Sequence, residues 1–303
     1  MGLISVALLA IAALLWTPDK SRNTLEAEYA KPPSAFTSVA GLRLHVRDTG
    51  DKNAPALILL HGFGSSLHTW DAWSAQLEKQ YRVIRLDLPG AGLTGPDTSS
   101  ATGDYSDARG FVVLLALMDQ LGLGKASFIG NSIGGRIAWG FAAKHPERVN
   151  KLVLIAPDGF ASPGFEYGKA PNVPAVLGLM RYTLPKALLK MNLEPAYGDA
   201  KNLNEEMLNR YYDMMLVPGA RDAMLERMRQ IMLSDPMPAL KTIAAPTLLL
   251  WGAKDAMIPI SNAQDYLRAM PNSRLVSLEG LGHVPHEEAP SISIVAIETF
   301  LRE

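Results

Sequence analysis

The chain has 303 residues, a formal net charge of −1, a hydrophobic fraction of 48% and no cysteine. That length accommodates one large α/β domain with an insertion. The missing thiols exclude disulfides, thiol catalysis and thiolate metal sites, and the near-neutral charge leaves no electrostatic footprint for nucleic acid. Six histidines form no ligand-spaced cluster, and no glycine-rich dinucleotide or Walker loop occurs, so no metal or other cofactor is expected.

From Leu3 to Trp16 every residue is apolar or small except Ser5. A cleaved signal peptide, a membrane anchor and a buried helix all have such runs. No Lys or Arg precedes Leu3, and Leu14-Leu15-Trp16-Thr17-Pro18 is a poor cleavage site, so an uncleaved anchor is expected. Fourteen helical residues reach ~21 Å against a ~30 Å hydrocarbon core, and residues 1–18 reach ~27 Å. Spanning then requires local thinning or snorkelling; otherwise the helix lies tilted in one face of the bilayer. Lys20 and Arg22 favour a cytoplasmic domain under the positive-inside rule. Thr17-Pro18-Asp19 reads as an N-cap, an N1 proline and an acidic first turn, starting a juxtamembrane helix to about Ala30 that Pro32-Pro33 ends. A linker is the alternative.

Strands are expected near 36–40, 42–48, 56–60, 82–87, 126–130 and 150–156, and helices near 67–79, 107–121 and 133–144. The βαβ alternation implies a mostly parallel sheet. After the strand Ala56–Leu60 comes His61-Gly62-Phe63-Gly64, a glycine-rich turn whose backbone N–H groups can face a ligand. The strand Arg82–Leu86 leads through Asp87 into Leu88-Pro89-Gly90-Ala91-Gly92, where a structural turn role is expected for Asp87.

Gly130-Asn131-Ser132-Ile133-Gly134-Gly135 joins an apolar strand to a helix-like run. Gly-x-Ser-x-Gly in that setting is a nucleophile elbow. The turn is so sharp that side chains at 130 and 134 would clash. It lifts the Ser132 hydroxyl above the sheet and turns the first N–H groups of the next helix toward a reacting oxygen. Ser132 needs a base, and the base needs an orienting acid. Asp255 follows the strand-like Thr247–Gly252, and His283 follows Arg274–Leu278, so both fall at one sheet edge with Ser132. His286 is a rival base, but Glu287 and Glu288 beside it suggest a solvated or capping role. Asp158 is a weaker alternative acid. The N–H groups of Phe63 and Ile133 are the expected oxyanion donors, each worth ~3 kcal/mol of barrier; His61 is expected to be structural.

Together these pieces, with Trp251-Gly252-Ala253-Lys254-Asp255 and Gly282-His283-Val284-Pro285, resemble the α/β-hydrolase superfamily in family order across residues 36–303. The resemblance implies an eight-stranded, mostly parallel sheet with a helical cap insertion, and Ser132, Asp255 and His283 as nucleophile, acid and base. Serine at 132 disfavours members with an aspartate nucleophile. The Gly-Asn-Ser-x-Gly-Gly form is similar to carbon–carbon bond hydrolases of ring-fission products. The layout resembles bacterial phospholipase A enzymes that have an N-terminal transmembrane helix. This second likeness implies an inner-membrane anchor, a periplasmic catalytic domain and a homodimer through the N-terminal helices. Ala7, Ala10 and Ala13 lie near one helix face and permit such packing.

Three parts follow: an anchor and juxtamembrane segment (1–35), a hydrolase core (36–159 and 240–303) and a helical cap (160–239). Nine of the 13 methionines fall in the cap: Met180, Met191, Met207, Met214, Met215, Met224, Met228, Met232 and Met237. Flexible methionine suits a pocket for varied acyl chains, and equally suits packing among the cap helices. The expected function is membrane-anchored hydrolysis of fatty-acyl esters such as phospholipids or lysophospholipids. A carbon–carbon hydrolase, with Arg181, Arg210 or Arg221 holding a substrate carboxylate, is the alternative, and a ligand-binding protein on the hydrolase fold is a third reading.

Overall fold

The computed structural model describes residues 15–161 and 166–303. Eight strands form one sheet: β1 (Ser34–Val39), β2 (Leu42–Thr49), β3 (Ala56–Leu60), β4 (Arg82–Leu86), β5 (Ala126–Asn131), β6 (Val149–Ile155), β7 (Thr247–Gly252) and β8 (Ser273–Leu278), in the order β1-β2-β4-β3-β5-β6-β7-β8. The β1–β2 and β2–β4 pairs are antiparallel and the remaining pairs parallel.

The strand sequences explain the layering. Leu57 and Leu59 of β3, Ile129 of β5, Val153 and Ile155 of β6 and Leu248 and Leu250 of β7 share one cluster with Trp73 and Phe300. The alternate residues Ile58, Leu60, Phe128, Leu152, Leu154 and Leu249 join the opposite cluster with Leu114 and Phe141. Strands covered on both faces read as unbroken apolar runs, because successive side chains go to opposite layers. The first face carries α2 (Asp71–Leu77) and α11 (Pro290–Arg302), which follows the short α10 (Pro285–Glu288). The second carries α3 (Asp107–Gln120), α4 (Ile133–Lys144) and α9 (Ala263–Ala269).

The expected helix over 67–79 divides into a 3₁₀ turn, Leu67–Trp70, followed by α2. Leu67 N donates to Asp87 Oδ1 at 2.7 Å, which ties this turn to the end of β4. Asp87 is fully buried and also accepts from Leu93 N, so it takes the structural turn role expected of it.

Between β6 and β7 the chain makes an insertion containing α5 (Lys186–Leu193), α6 (Glu205–Met215), α7 (Ala220–Gln230) and the short α8 (Met237–Leu240), with 3₁₀ turns at Ala175–Arg181, Glu194–Ala196 and Ala200–Asn202. The first α helix after the N-terminal run is α1, Arg22–Tyr29, four residues later than expected. Its N-cap is Ser21, which accepts from Thr24 N. Thr17 and Asp19 are engaged elsewhere: Thr17 Oγ1 accepts from Leu184 N at 3.1 Å, and Asp19 pairs with Arg221 of α7. Residues 1–14, including most of the expected anchor and Ala7, Ala10 and Ala13, lie outside the described residues. No helix among the described residues is long and apolar enough to cross a membrane.

Candidate active site

Ser132 separates β5 from α4 with φ 55° and ψ −121°, the strained backbone of a nucleophile elbow. Space forces glycine at two positions around it. A Cβ at Gly130 would lie 2.4 Å from Gly134 O, and one at Gly134 would lie 2.2 Å from Leu60 O. Ser132 N donates to Ile155 O at 3.0 Å, and Ser132 O accepts from Arg136 N and Asp158 N. The neighbours Asn131 and Ile133 are buried, whereas Ser132 itself is partly exposed.

Asp255 and His283 come from the loops after β7 and β8, at the same sheet edge. Asp255 Oδ1 accepts from Met257 N (2.8 Å) and Ile258 N (2.9 Å), which leaves Oδ2 for His283 Nδ1 at 2.7 Å. A carboxylate at Nδ1 makes that nitrogen the donor and leaves Nε2 free to accept a proton. The His283 main chain is held from two sides. Asn131 Nδ2 donates to His283 O at 3.0 Å, and His283 N donates to Ala196 O of the insertion at 2.7 Å. No hydrogen bond between Ser132 Oγ and His283 occurs among the described residues; such bonds are often long without substrate.

Asn131 and Ala196 are site-supporting residues that the sequence reading did not single out, and Glu288, read there only as a sign of a solvated or capping role for His286, is a third. Glu288 accepts from Gly198 N, Asp199 N, Asn202 Nδ2 and Gly282 N, clasping the insertion to the His283 loop. Only the Asn of Gly-Asn-Ser-x-Gly carried any sequence signal.

Phe63 and Ile133 border the same two spaces. One is a narrow cleft of about 30 Å³, walled also by Leu88, Met214, Met224 and Arg227. The other is a cavity of about 260 Å³, walled by Pro171, Val173, Pro174, Met228, Ile231 and Leu233 with Asn172 and Asp158. Neither the Phe63 nor the Ile133 N–H donates to a main-chain carbonyl among the described residues. Of the nine cap methionines, Met214, Met215, Met224 and Met228 line these spaces. Met207 packs within the insertion, while Met191 and Met232 are exposed.

The rival residues are occupied otherwise. His286 is buried, stacks on Trp70 with centroids 4.2 Å apart and shares a hydrogen bond with Thr69 Oγ1 at 3.0 Å. The solvated or capping role considered for His286 does not hold: its ring is buried and caps no helix among the described residues, and Glu287 beside it is buried too and accepts from Tyr197 Oη and Tyr211 Oη at 2.9 Å while pairing with Arg210. His61 uses both ring nitrogens, one with Gly62 O and the other accepting from Leu88 N, the structural role expected of it. Asp158 is bound to Arg136, and burial raises its pKa.

Burial holds two histidines neutral: His286 at about 3, and His68, buried in the 3₁₀ turn before α2 with Nε2 on Tyr29 O, at about 4. In the unfolded chain each ionises near ~6.5. Between those values the unfolded chain binds more protons, so stability is full above ~6.5 and falls as pH drops toward the folded values. The loss is on the order of 2 kcal/mol per group at pH 5. Urea unfolding between pH 7 and 5 should show this slope, and His286→Gln should flatten it. An equal slope in the variant would rule out the His286 contribution.

A sheet with this crossover order, a strained serine after its fifth strand and an Asp–His pair at the same edge define an α/β hydrolase. Residues 55–290 match the family described as the alpha/beta hydrolase fold, and the chain belongs to that family. Among its relatives is a 2-hydroxy-6-oxononadienedioate/2-hydroxy-6-oxononatrienedioate hydrolase of Burkholderia vietnamiensis, 34% identical over 272 residues, covering 86% of this chain and 91% of the relative. A protein of the same name from Paraburkholderia phymatum is 31% identical over 85% of this chain and 90% of its own. The crystal structure of a membrane phospholipase A, described as a bacterial virulence factor, superposes with a TM-score of 0.74 at 27% identity, covering 99% of this chain and 97% of that one.

Proposed function

We propose that Ser132 attacks a substrate carbonyl, with His283 as base, Asp255 as its orienting acid and the Phe63 and Ile133 N–H groups as oxyanion donors. The observation that carries this reading is the meeting of the apolar cavity and the narrow cleft at Phe63 and Ile133, beside the elbow. A carbonyl held there has one substrate arm on each side. His283 takes the Ser132 proton, the serine adds to the carbonyl carbon, and the tetrahedral intermediate collapses to an acyl-enzyme. His283 returns the proton to the departing arm, and water then releases the acid.

For the bond cleaved, the named relatives favour carbon–carbon hydrolysis. A 2-hydroxy-6-oxo-dienedioate first tautomerises, its 2-hydroxyl proton being replaced by one at C5, so that C2 becomes a ketone; the pair of electrons from the broken C5–C6 bond then passes through the C3–C4 double bond to the 2-keto oxygen as a dienolate, which takes the returned proton. Of the arginines considered for such a substrate, Arg181, Arg210 and Arg221 are committed to Asp222, Glu287 and Asp19; none lines either space.

Ester hydrolysis at a lipid surface has separate support. Trp16, the last residue of the apolar N-terminal run, stacks on Tyr182 at 5.9 Å. Both are exposed, as are Val176, Leu179, Leu188 and Met191 of the insertion. Exposed apolar side chains beside such a run suit contact with a bilayer. The membrane phospholipase A likeness supports the same reading, with an anchored, periplasmic enzyme and a dimer as its corollaries.

The deciding assay offers the purified full-length chain a 2-hydroxy-6-oxo-dienedioate, lysophospholipids and neutral esters in mild detergent, beside Ser132→Ala. Serine-dependent loss of the dienoate chromophore, faster than ester turnover, is the expected result. Fatty-acid release with no dienoate cleavage would replace it by the ester reading. Turnover of none would remove both.

A further inference from the structure

We propose that Arg227 is an anion-binding residue of the cleft, receiving a carboxylate or phosphate carried by one arm of the substrate. The proposal deepens the hydrolase reading and rests on it for the word substrate.

Arg227 projects from α7 and is 6% exposed. Its guanidinium donates to two backbone carbonyls, those of Pro89 and Tyr105, the latter at 3.5 Å. It has no carboxylate within salt-bridge distance among the described residues, and the undescribed residues contain no Asp or Glu. This sets it apart from its neighbours: Arg181, Arg210, Arg221 and Arg229 of the insertion each pair with an acid, and Arg136 of α4 pairs with two.

Backbone carbonyls satisfy hydrogen bonds but carry no full negative charge, and Asp107, whose charge favours the cation, is paired with Arg136 and makes no hydrogen bond or salt bridge with Arg227. A desolvated charge in that state is costly. Burial, then the nearby Arg136, lowers Arg227 to about 10, so it stays cationic at neutral pH. An incoming anion offsets that cost, and a planar guanidinium suits both carboxylate and phosphate. The place is right for a reacting molecule, because Arg227 lines the cleft that Phe63 and Ile133 also line. The opposite space is walled mainly by apolar side chains. The site thus favours a substrate with one apolar arm and one anionic arm.

Matched pairs test this and separate the two anion sources. Monomethyl adipate against dimethyl adipate differs by a carboxylate; lysophosphatidic acid against monoacylglycerol differs by a phosphate. In at least one pair the enzyme should favour the anion tenfold or more in kcat/KM. Arg227→Gln should bring that ratio to within threefold of unity while the neutral partner changes less than threefold, and Arg227→Lys should keep part of the preference. Equal losses on both members would make Arg227 a staple for the Pro89 loop and overturn the proposal, as would no preference in either pair.

A binding readout stands apart from turnover. Adipate or inorganic phosphate should raise the melting temperature of Ser132→Ala more than neutral adipamide does, and should lose that advantage in Ser132→Ala/Arg227→Gln. Anion stabilisation without turnover of any substrate would keep the anion site and remove the hydrolase reading. Turnover without anion stabilisation or preference would do the reverse.

Discussion

Asp255→Asn should lower kcat by about 10⁴-fold, and His283→Ala or Ser132→Ala by at least as much. The asparagine preserves shape but changes the hydrogen-bond logic. Asp255 Oδ1 is held by two backbone N–H groups, so Oδ2 is the atom that meets His283 Nδ1. An amide nitrogen at that position would donate rather than accept, forcing the proton to Nε2, where it blocks acceptance from Ser132. Because the three groups act as one unit, the double variant Asp255→Asn/Ser132→Ala should be no slower than Ser132→Ala alone. Asp158→Asn is the control. Its carboxyl is bound to Arg136 and lies after β6, so its replacement should cost less than tenfold. If Asp158→Asn matched Asp255→Asn in kcat, the assignment of the acid would be wrong. Circular dichroism and melting of each variant separate lost chemistry from lost fold.

Much of the core was legible because its strands are buried on both faces. Leu57–Leu60 and Leu248–Leu250 are continuous apolar runs of strand length, and each feeds two layers in alternation. The elbow was legible for a different reason: the backbone must bend where side chains do not fit, which leaves glycines at fixed offsets from Ser132. What could not be read depends on partners distant in sequence. Thr17 and Asp19 have the residue types of a helix start, yet they bond to residues 184, 219 and 221, and the helix begins only after Ser21. Glu287 has the composition of a solvated run, but Arg210, Tyr197 and Tyr211 fold over it. Arg227 is the sharpest case. Its sequence neighbours Glu226 and Arg229 form a pair with each other, and nothing in the local pattern tells that Arg227 is left without an acid.

Gly134→Ala should be among the most damaging conservative changes in the molecule. The added methyl would meet Leu60 O at 2.2 Å and His61 O at 2.6 Å. Both are backbone atoms at the end of a central strand, so neither can rotate aside. Relief requires separating α4 from β3, which disrupts packing on the face of the sheet that α4 covers. Overpacking against fixed backbone costs about 3 kcal/mol or more, a large part of an ordinary domain's ~5–15 kcal/mol. The site should suffer in the same movement, because α4 supplies the Ile133 N–H while the loop after β3 supplies Phe63. Two glycines calibrate the comparison. A Cβ at Gly124 meets nothing within 4 Å, so Gly124→Ala should leave the melting temperature unchanged. Gly122 is equally open but has φ +68°, so Gly122→Ala should lose only about 1 kcal/mol, from backbone conformation. A Gly134→Ala protein that melts with Gly124→Ala and retains activity would mean that the close approach of α4 to β3 is not obligatory. The expected ranking, with Gly124→Ala mildest, Gly122→Ala intermediate and Gly134→Ala insoluble or deeply destabilised, would show that contact with fixed backbone makes glycine necessary beside Ser132.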